Sequence, residues 1–287
     1  MLSEVVRQVL SGDELPTELL IVENSRSQMS PLTTLVTDRC EYRYFPTAAT
    51  NLSAKRNIAL RAAANDLIVI CDDDVYVPRS WFGTLARAAQ KAGPEVLVTG
   101  RVLAGPEEVP GGFAPSLHPS TDRIVYKRRS TLEDPLATFN CAFFRHLSDV
   151  VGVFDERLGP GTPFPSCEDN DFGLRALEHG FAIEFEPEAL LYHRAWRPPT
   201  VFLTLRWRYG LGQGALYAKH LGSDLFVWRK LLASWKRHAR RISPFGRRTT
   251  IGELAWFAGF VVGLPRWFIR YRLIELLRWK RRQVRNP

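Results

Sequence analysis

The chain has 287 residues, 45% of them hydrophobic, which is enough to bury a sizeable core and excludes an intrinsically disordered protein. Its net charge of +9 hides an asymmetry: residues 201–287 hold 19 Lys and Arg against three acids, Asp224, Glu253 and Glu275, while the first 200 residues carry about −7. The four cysteines, Cys40, Cys71, Cys141 and Cys167, have no CxxC or Cys/His ligand spacing and follow no secretory signal, so they read as reduced thiols of a cytosolic protein and argue against a disulfide framework or zinc site.

The segment LSEVVRQVL places Leu2, Val5, Val6, Val9 and Leu10 on one face of an amphipathic helix that Ser11-Gly12 ends. ELLIVENS, residues 18–25, reads as a buried strand breaking into a polar turn, and EYRYF as another strand. SAKRNIALRAAAN follows as a helix with Ser53 as its predicted N-cap. After a strand at residues 67–71 comes a helix over about residues 80–92, stopped by Gly93-Pro94, and then the strand EVLVTGRV. Alternation of this kind predicts an α/β fold, Rossmann-like, with a mainly parallel sheet flanked by helices. Residues 104–122, rich in Gly, Pro and Ser, read as a mobile loop that could serve as a lid. Order returns with the strand TFNCAFF, a short helix, the loop GPGTPFPS, a helix beginning near CEDNDFGLRALEHG with Gly180 as its stop, and two strands, FAIEFEP and ALLYH. No internal repeat is present, and the body is expected to end near Pro198-Pro199, giving domains over residues 1–200 and 201–287.

Two acidic groups carry the chemistry. In DLIVICDDDVYVP a buried strand runs into Asp72, Asp73 and Asp74, at the carboxyl end where open α/β sheets bind ligands. Three carboxylates this close repel unless a cation intervenes, and oxygen-only ligation points to Mg²⁺ or Mn²⁺, although an Asp-rich turn also fits the pattern. The second group, CEDND, puts Glu168, Asp169 and Asp171 at a helix N-terminus, where capping and the helix dipole account for one or two acids and leave room for a general base.

These stretches, with VGVFDERLGPGTPFPSCEDNDFGLRALEHG, resemble the nucleotide-sugar glycosyltransferases of family 2, over roughly residues 1–210. The resemblance rests on an Asp-x-Asp after a strand, an Arg-Asn in the preceding helix, a Phe-Asp-Glu-x-Leu-Gly stretch and a Glu-Asp-x-Asp before a helix with a Gly stop. It implies a GT-A fold and a single, inverting displacement of a nucleotide diphosphate by an acceptor hydroxyl. Asp74, with Asp72, would hold the divalent metal at the donor diphosphate, Asp73 would shape the turn and Asp169 would take the acceptor proton. Glu168 and Asp171 would orient the acceptor or support the helix start, Asp171 pairing with Arg175 at i+4. Glu23 would contact the nucleotide base or ribose, Arg56 and Asn57 would line the nucleotide pocket, and His193 would join the metal or diphosphate. In TLRWRYGLGQG, Arg206 could meet phosphate and Trp207 could stack on a sugar, although a helix packing its Trp against the body fits the segment better; Leu203 stands where processive members carry a Gln, so processive polymerisation is not expected. Family members also open with a strand of the type SVVIPTYNR that this sequence does not show, and the expectation from that departure is weak donor binding by the chain as written.

The basic tail alternates Arg and Trp with apolar residues, and its longest uncharged run, residues 254–265, is too short to span a bilayer, which takes about 20 residues. Short apolar helices with basic flanks suit an anionic membrane surface, placing the enzyme at the inner face of the membrane near lipid-linked or cell-envelope glycan acceptors. The alternatives are a basic helical hairpin packed on the body and a nucleic-acid interface, for which no motif is present. Against the transferase stand a non-catalytic scaffold on a GT-A frame and a phosphoesterase, which lacks the His and Asp clusters that two-metal hydrolysis wants.

Overall fold

The computed structural model describes residues 1–24, 39–127, 135–222, 225–242 and 246–273. The polar turn predicted at Ser25 and the end of the basic tail from residue 274 lie outside them. The chain divides into two compact units, Met1–Asp155 with Asp169–Pro199, and Glu156–Glu168 with Thr200–Pro287.

The first unit runs α1 (Leu2–Leu10), β1 (Glu18–Glu23), β2 (Glu41–Pro46), α2 (Leu52–Ala62), β3 (Leu67–Cys71), β4 (Val75–Tyr76), α3 (Trp81–Ala92), β5 (Val96–Ala104), β6 (Ile124–Tyr126), β7 (Asn140–Phe144), α4 (Arg145–Val151), α5 (Glu168–Glu178, its first residue belonging to the second unit) and β8 (Ala182–His193). The main sheet has the order β3-β7-β5-β8-β4, with β6 also on β8, while β1 and β2 pair with each other. The α/β architecture flanked by helices is the predicted one, but the pairing is mixed. Among the described strands β1–β2 and β5–β8 are parallel, and β3–β7, β5–β7, β4–β8 and β6–β8 are antiparallel. The helix α5 brings β8 back parallel to β5, whereas β4 and β6 are reached through loops, which leave a strand free to run the other way.

Alternation along the strands feeds two cores, one on each face. In β3, Leu67, Val69 and Cys71 pack with Trp81, Leu85 and Ala89 of α3, while Ile68 and Ile70 join Leu147, Val151, Phe172 and Ala176 of α4 and α5. The helices follow their sequence signals with one exception. Asn51, not Ser53, caps α2: Asn51 is extended and its side-chain oxygen accepts the Ala54 N–H at 2.7 Å, whereas Ser53 is fully buried inside the helix. Such a cap is worth about 1 kcal/mol. The strands predicted separately at 181–187 and 189–193 form one strand, β8, because the Pro187 region is absorbed by a register shift that sets Glu186 opposite Gly100 and Leu191 opposite Val102. The Gly/Pro-rich segment after β5 is pinned by paired backbone bonds between Val102 and His118 and between Phe113 and Arg197.

The second unit is built from α6 (Phe202–His220), α7 (Leu225–Arg240), α8 (Arg247–Trp267) and a π-helical turn (Phe268–Leu273). Glycines set its packing. A Cβ at Gly210 or Gly214 of α6 would collide with the carbonyl oxygens of Trp256 or Phe260 in α8, and a Cβ at Gly259 or Gly263 of α8 would collide with those of Trp207 or Leu211 in α6. The two helices therefore meet backbone to backbone. Beside this seam, buried Glu253 lies 2.6 Å from both Arg206 Nη2 and His238 Nδ1, and the His238 ring stacks on Trp256 at 3.7 Å.

That cluster sets a pH dependence. Burial holds the His238 pKa below its ordinary value of 6.5, with Glu253 opposing, and burial does the same to His118 in the first unit, with Asp169 opposing. For a histidine depressed in the folded state, the unfolded chain binds the proton first as pH falls below 6.5, so the stability is fully present above that value and declines below it. The melting temperature is therefore expected to drop between about pH 7.5 and about pH 5.5, with a shallower slope in His238→Asn. Thermal melts across that window check this, and an unchanged slope in the variant removes His238 from the account.

Candidate active site

The chain leaves β3 at one edge of the main sheet and enters β4 at the other, so Asp72, Asp73 and Asp74 cross the sheet between them. Their side chains divide accordingly. Asp72 and Asp74 are half-buried while Asp73 is exposed, in keeping with a turn-shaping role for the middle residue.

The centre of the site is Arg56, whose side chain is 6% exposed. Nη2 donates to Asp72 Oδ1 at 3.1 Å and Nη1 donates to Asp169 Oδ1 at 3.0 Å, 113 residues from Arg56 in sequence, so one side chain joins the two acidic motifs. Asp169, in the first turn of α5, also accepts the Thr138 hydroxyl on Oδ1 and, at 3.4 Å, the Thr138 N–H on Oδ2. Oδ2 is thus held by one long bond and remains the more available oxygen for an acceptor proton. Burial raises the Asp72 pKa, and Arg56 offsets this only in part because Asp74 and Asp169 repel a further charge. The like charges that the sequence places together are therefore felt in the fold.

Asp74 faces the other way. Its Oδ1 lies 3.6 Å from Nε2 of His193, the last residue of β8, which pairs with Val75. His193 Nδ1 is 3.3 Å from the Pro115 carbonyl, and its ring stacks on Phe139 at 4.7 Å. Nδ1 lies on the Pro115 side and Nε2 on the Asp74 side, so a proton on either nitrogen finds an acceptor, and a metal ion taken by Nε2 would leave Nδ1–H on Pro115 as its outer hydrogen bond. Burial works against the Asp74 carboxylate, but His193 and Arg197 outweigh it and hold the pKa below its ordinary value.

Among the described residues no three His, Cys, Asp or Glu side chains form a metal-binding cluster. The donors present still fit a Mg²⁺ or Mn²⁺ bound mainly by substrate, since such ions commonly take one or two protein carboxylates and complete their shell with phosphate oxygens and water. Asp74 with His193 is that kind of pair, and Asp72 is engaged by Arg56.

The remaining predicted residues separate into lining and support. Glu23 ends β1 and accepts the Tyr44 hydroxyl at 3.3 Å. Asn57, expected in the nucleotide pocket, is fully buried: its amide donates to the Phe154 carbonyl and accepts the Phe154 N–H, both at 2.9 Å, so it anchors the Phe-Asp-Glu stretch. Asp171 is fully buried and pairs with Arg175 Nε at 2.9 Å, while Arg175 also donates to the carbonyls of Val151, Gly152 and Val153. Glu168 is buried beside Gly159. Arg206, expected to meet phosphate, is held by Glu253 instead, and Trp207 is 36% exposed on α6.

Thr138 and His118 were not singled out by sequence. Thr138 precedes β7 in a stretch with no motif, and only the fold brings it against the N-terminus of α5. His118 sits in the Gly/Pro-rich segment, where its electrostatic coupling to Asp169 depends on the backbone pairing with Val102. As the titratable side chain of the stretch SLHPS, it was the one available signal.

The chain matches the family model described as Glycosyl transferase family 2 over residues 1–152. Its structure is similar to that of TarS from S. aureus, with a TM-score of 0.61 and 12% identity, covering 92% of this chain and 77% of that one. TarS was also solved in complex with UDP, where the TM-score is 0.52 at 13% identity, covering 92% and 86%. A mannosyltransferase from Pyrobaculum calidifontis, in complex with GDP-Man and Mn²⁺, gives a TM-score of 0.57 at 18% identity, covering 92% and 83%. These likenesses carry the fold, which is GT-A, and no curated protein matches the sequence. Since the family model spans more than half of the 287 residues, beginning before the Arg-Asn helix and passing through all three aspartates, the chain belongs to glycosyl transferase family 2.

Proposed function

We propose that this protein moves a sugar from a nucleotide-diphosphate donor to a hydroxyl acceptor with inversion at the anomeric carbon. One observation carries the reading: Arg56 holds Asp72 and Asp169 together, so the aspartate motif after β3 and the acidic start of α5 work at one place. Asp169 takes the proton of the acceptor hydroxyl as that oxygen bonds to the anomeric carbon. The bond from this carbon to the diphosphate oxygen breaks on the opposite face, and the leaving group keeps the electron pair. Thr138 fixes the Asp169 carboxylate, and Arg56 lies between the base and Asp72, within reach of a diphosphate. Asp74 with His193 would hold a Mg²⁺ or Mn²⁺, which when bound offsets the charge developing on the leaving diphosphate, while Asp72 stays on Arg56. Glu23 and Arg56 serve the nucleotide. A lipid-linked or cell-envelope glycan acceptor and a peripheral position on the cytoplasmic side of an anionic membrane fit the basic tail.

The test is a titration of the full chain with UDP, GDP and dTDP, with and without Mn²⁺. The panel covers more than one base because the similar structures hold different ones. Nucleotide binding that tightens with metal is the expected result. Absence of affinity for all three nucleotides favours the non-catalytic scaffold.

A further inference from the structure

The helices α7 and α8 each carry two apolar faces, of which only one is buried. On α7, Phe226, Val227 and Leu231 point into the unit, while Leu225, Trp228, Leu232 and Trp235 are exposed at i, i+3, i+7 and i+10. Leu225 is 72% exposed and Leu232 56%. A helix on a water-facing surface normally turns charge outward. Here an apolar stripe lies there, bordered by Arg229, Lys236 and Arg240. On α8 the exposed side chains are Ile251, Leu254, Val261 and Val262, and Phe268 and Ile269 continue them into the π-helical turn. No charged residue interrupts residues 254–265, and Arg247, Arg248, Arg266 and Arg270 flank the stretch. Trp235 links the two helices, since its ring meets Phe257 and Phe260 edge-on at 5.9 and 5.4 Å while 40% of the residue is exposed.

An exposed apolar surface of this extent marks an interaction site. Charge identifies the partner. With 19 Lys and Arg against three acids in residues 201–287, a second copy of this surface would repel itself, whereas anionic headgroups attract it. No helix among the described residues is long and apolar enough to cross a membrane. The pattern of Trp at the border, Leu, Ile and Val outward and Arg or Lys alongside is that of helices lying in the interface plane, where the apolar side chains enter the acyl boundary and the cations reach phosphate.

We infer that the outward stripes of α7 and α8 seat this unit in the headgroup region of an anionic bilayer. This deepens the membrane part of the reading above by naming the surface, and it stands apart from the catalytic part.

The experiment is co-sedimentation of the full chain with vesicles of phosphatidylcholine alone or with about 30% phosphatidylglycerol, at low and high salt. The wild type is expected to pellet with the anionic vesicles, to release partly at high salt and to bind phosphatidylcholine weakly. The double variant Trp228→Glu with Leu232→Glu is expected to lose more than about tenfold in vesicle affinity, since two apolar side chains that would enter the acyl boundary are replaced by carboxylates. Val125→Glu, at an exposed apolar position of β6, is expected to bind as the wild type does. Equal vesicle binding by the double variant and the wild type overturns the proposal. So does a wild-type dimer in light scattering that the double variant converts to monomer with no vesicle binding by either. Nucleotide titration of the same samples separates the two readings. A wild type that binds nucleotide but no anionic vesicles counts against this surface alone, and one that binds anionic vesicles but no nucleotide counts against glycosyl transfer alone.

Discussion

Asp169→Asn is expected to lower turnover by about 10²–10⁴-fold while nucleotide affinity stays nearly unchanged. The expectation follows from which atoms survive the substitution. Arg56 Nη1 and the Thr138 hydroxyl both donate to Oδ1, and the amide oxygen of Asn can accept both bonds in the same place. What disappears is the second oxygen, Oδ2, whose hydrogen bond to the Thr138 N–H is long, and with it the ability to accept a proton. The geometry around Arg56 and Asp72 is kept, so the part of the site facing a diphosphate is not dismantled. Release of nucleoside diphosphate from the nucleotide sugar that binds best reads the first effect, and calorimetric titration reads the second. Asp171→Asn supplies the contrast. That carboxylate is fully buried and paired with Arg175, so its loss belongs in the melting temperature. Undiminished turnover in Asp169→Asn removes Asp169 from the base role, and a parallel fall in nucleotide affinity means that the residue shapes the donor site instead.

The contrast between positions 169 and 171 shows what a sequence of this type discloses. Local signals placed α1, α3, α5 and most strands, because hydrophobic period and Gly stops such as Gly93 and Gly180, both at positive φ, are properties of short segments. The two acidic motifs were legible for the same reason, since each sits at the end of an element that the pattern identifies. Their juxtaposition was implied by the family resemblance and by no local signal, because it depends on a single Arg reaching both from α2. Asn57, its neighbour, looked equally available, yet one helical step turns its side chain inward to the Phe154 backbone. Arg206 was misassigned for a related reason. A cation on a helix can meet phosphate or a buried carboxylate, and Glu253, 47 residues later, is visible as its partner only in three dimensions. Antiparallel pairing in the sheet and the continuous β8 were hidden because register is set between strands and not within them.

Gly210→Ala and Gly263→Ala are each expected to destabilise the protein by about 1–3 kcal/mol, although Ala is the better helix former by about 1 kcal/mol. The sequence GLGQG places glycines at 210, 212 and 214 of one helix, and α8 repeats the four-residue spacing at 259 and 263. Glycine inside a helix is unfavourable on its own, so its presence at both sides of one contact needs a tertiary cause. The cause is the approach of the two backbones: the new methyl at 210 meets the Trp256 carbonyl and the one at 263 meets that of Leu211, neither of which can swing aside as a side chain does. Relief requires the helices to move apart, and that movement disturbs Trp256, Phe260 and the Glu253 cluster together. Gly83→Ala in α3 tests the distinction. Its Cβ would meet the carboxylate end of Glu14 and the guanidinium of Arg87, an exposed ion pair whose far ends can shift, so helix propensity decides and the variant is expected to be neutral or stabilised by up to about 1 kcal/mol. Urea unfolding followed by circular dichroism compares the three variants with the wild type. Should Gly210→Ala and Gly83→Ala move the midpoint in the same direction, close backbone contact is not what holds α6 against α8.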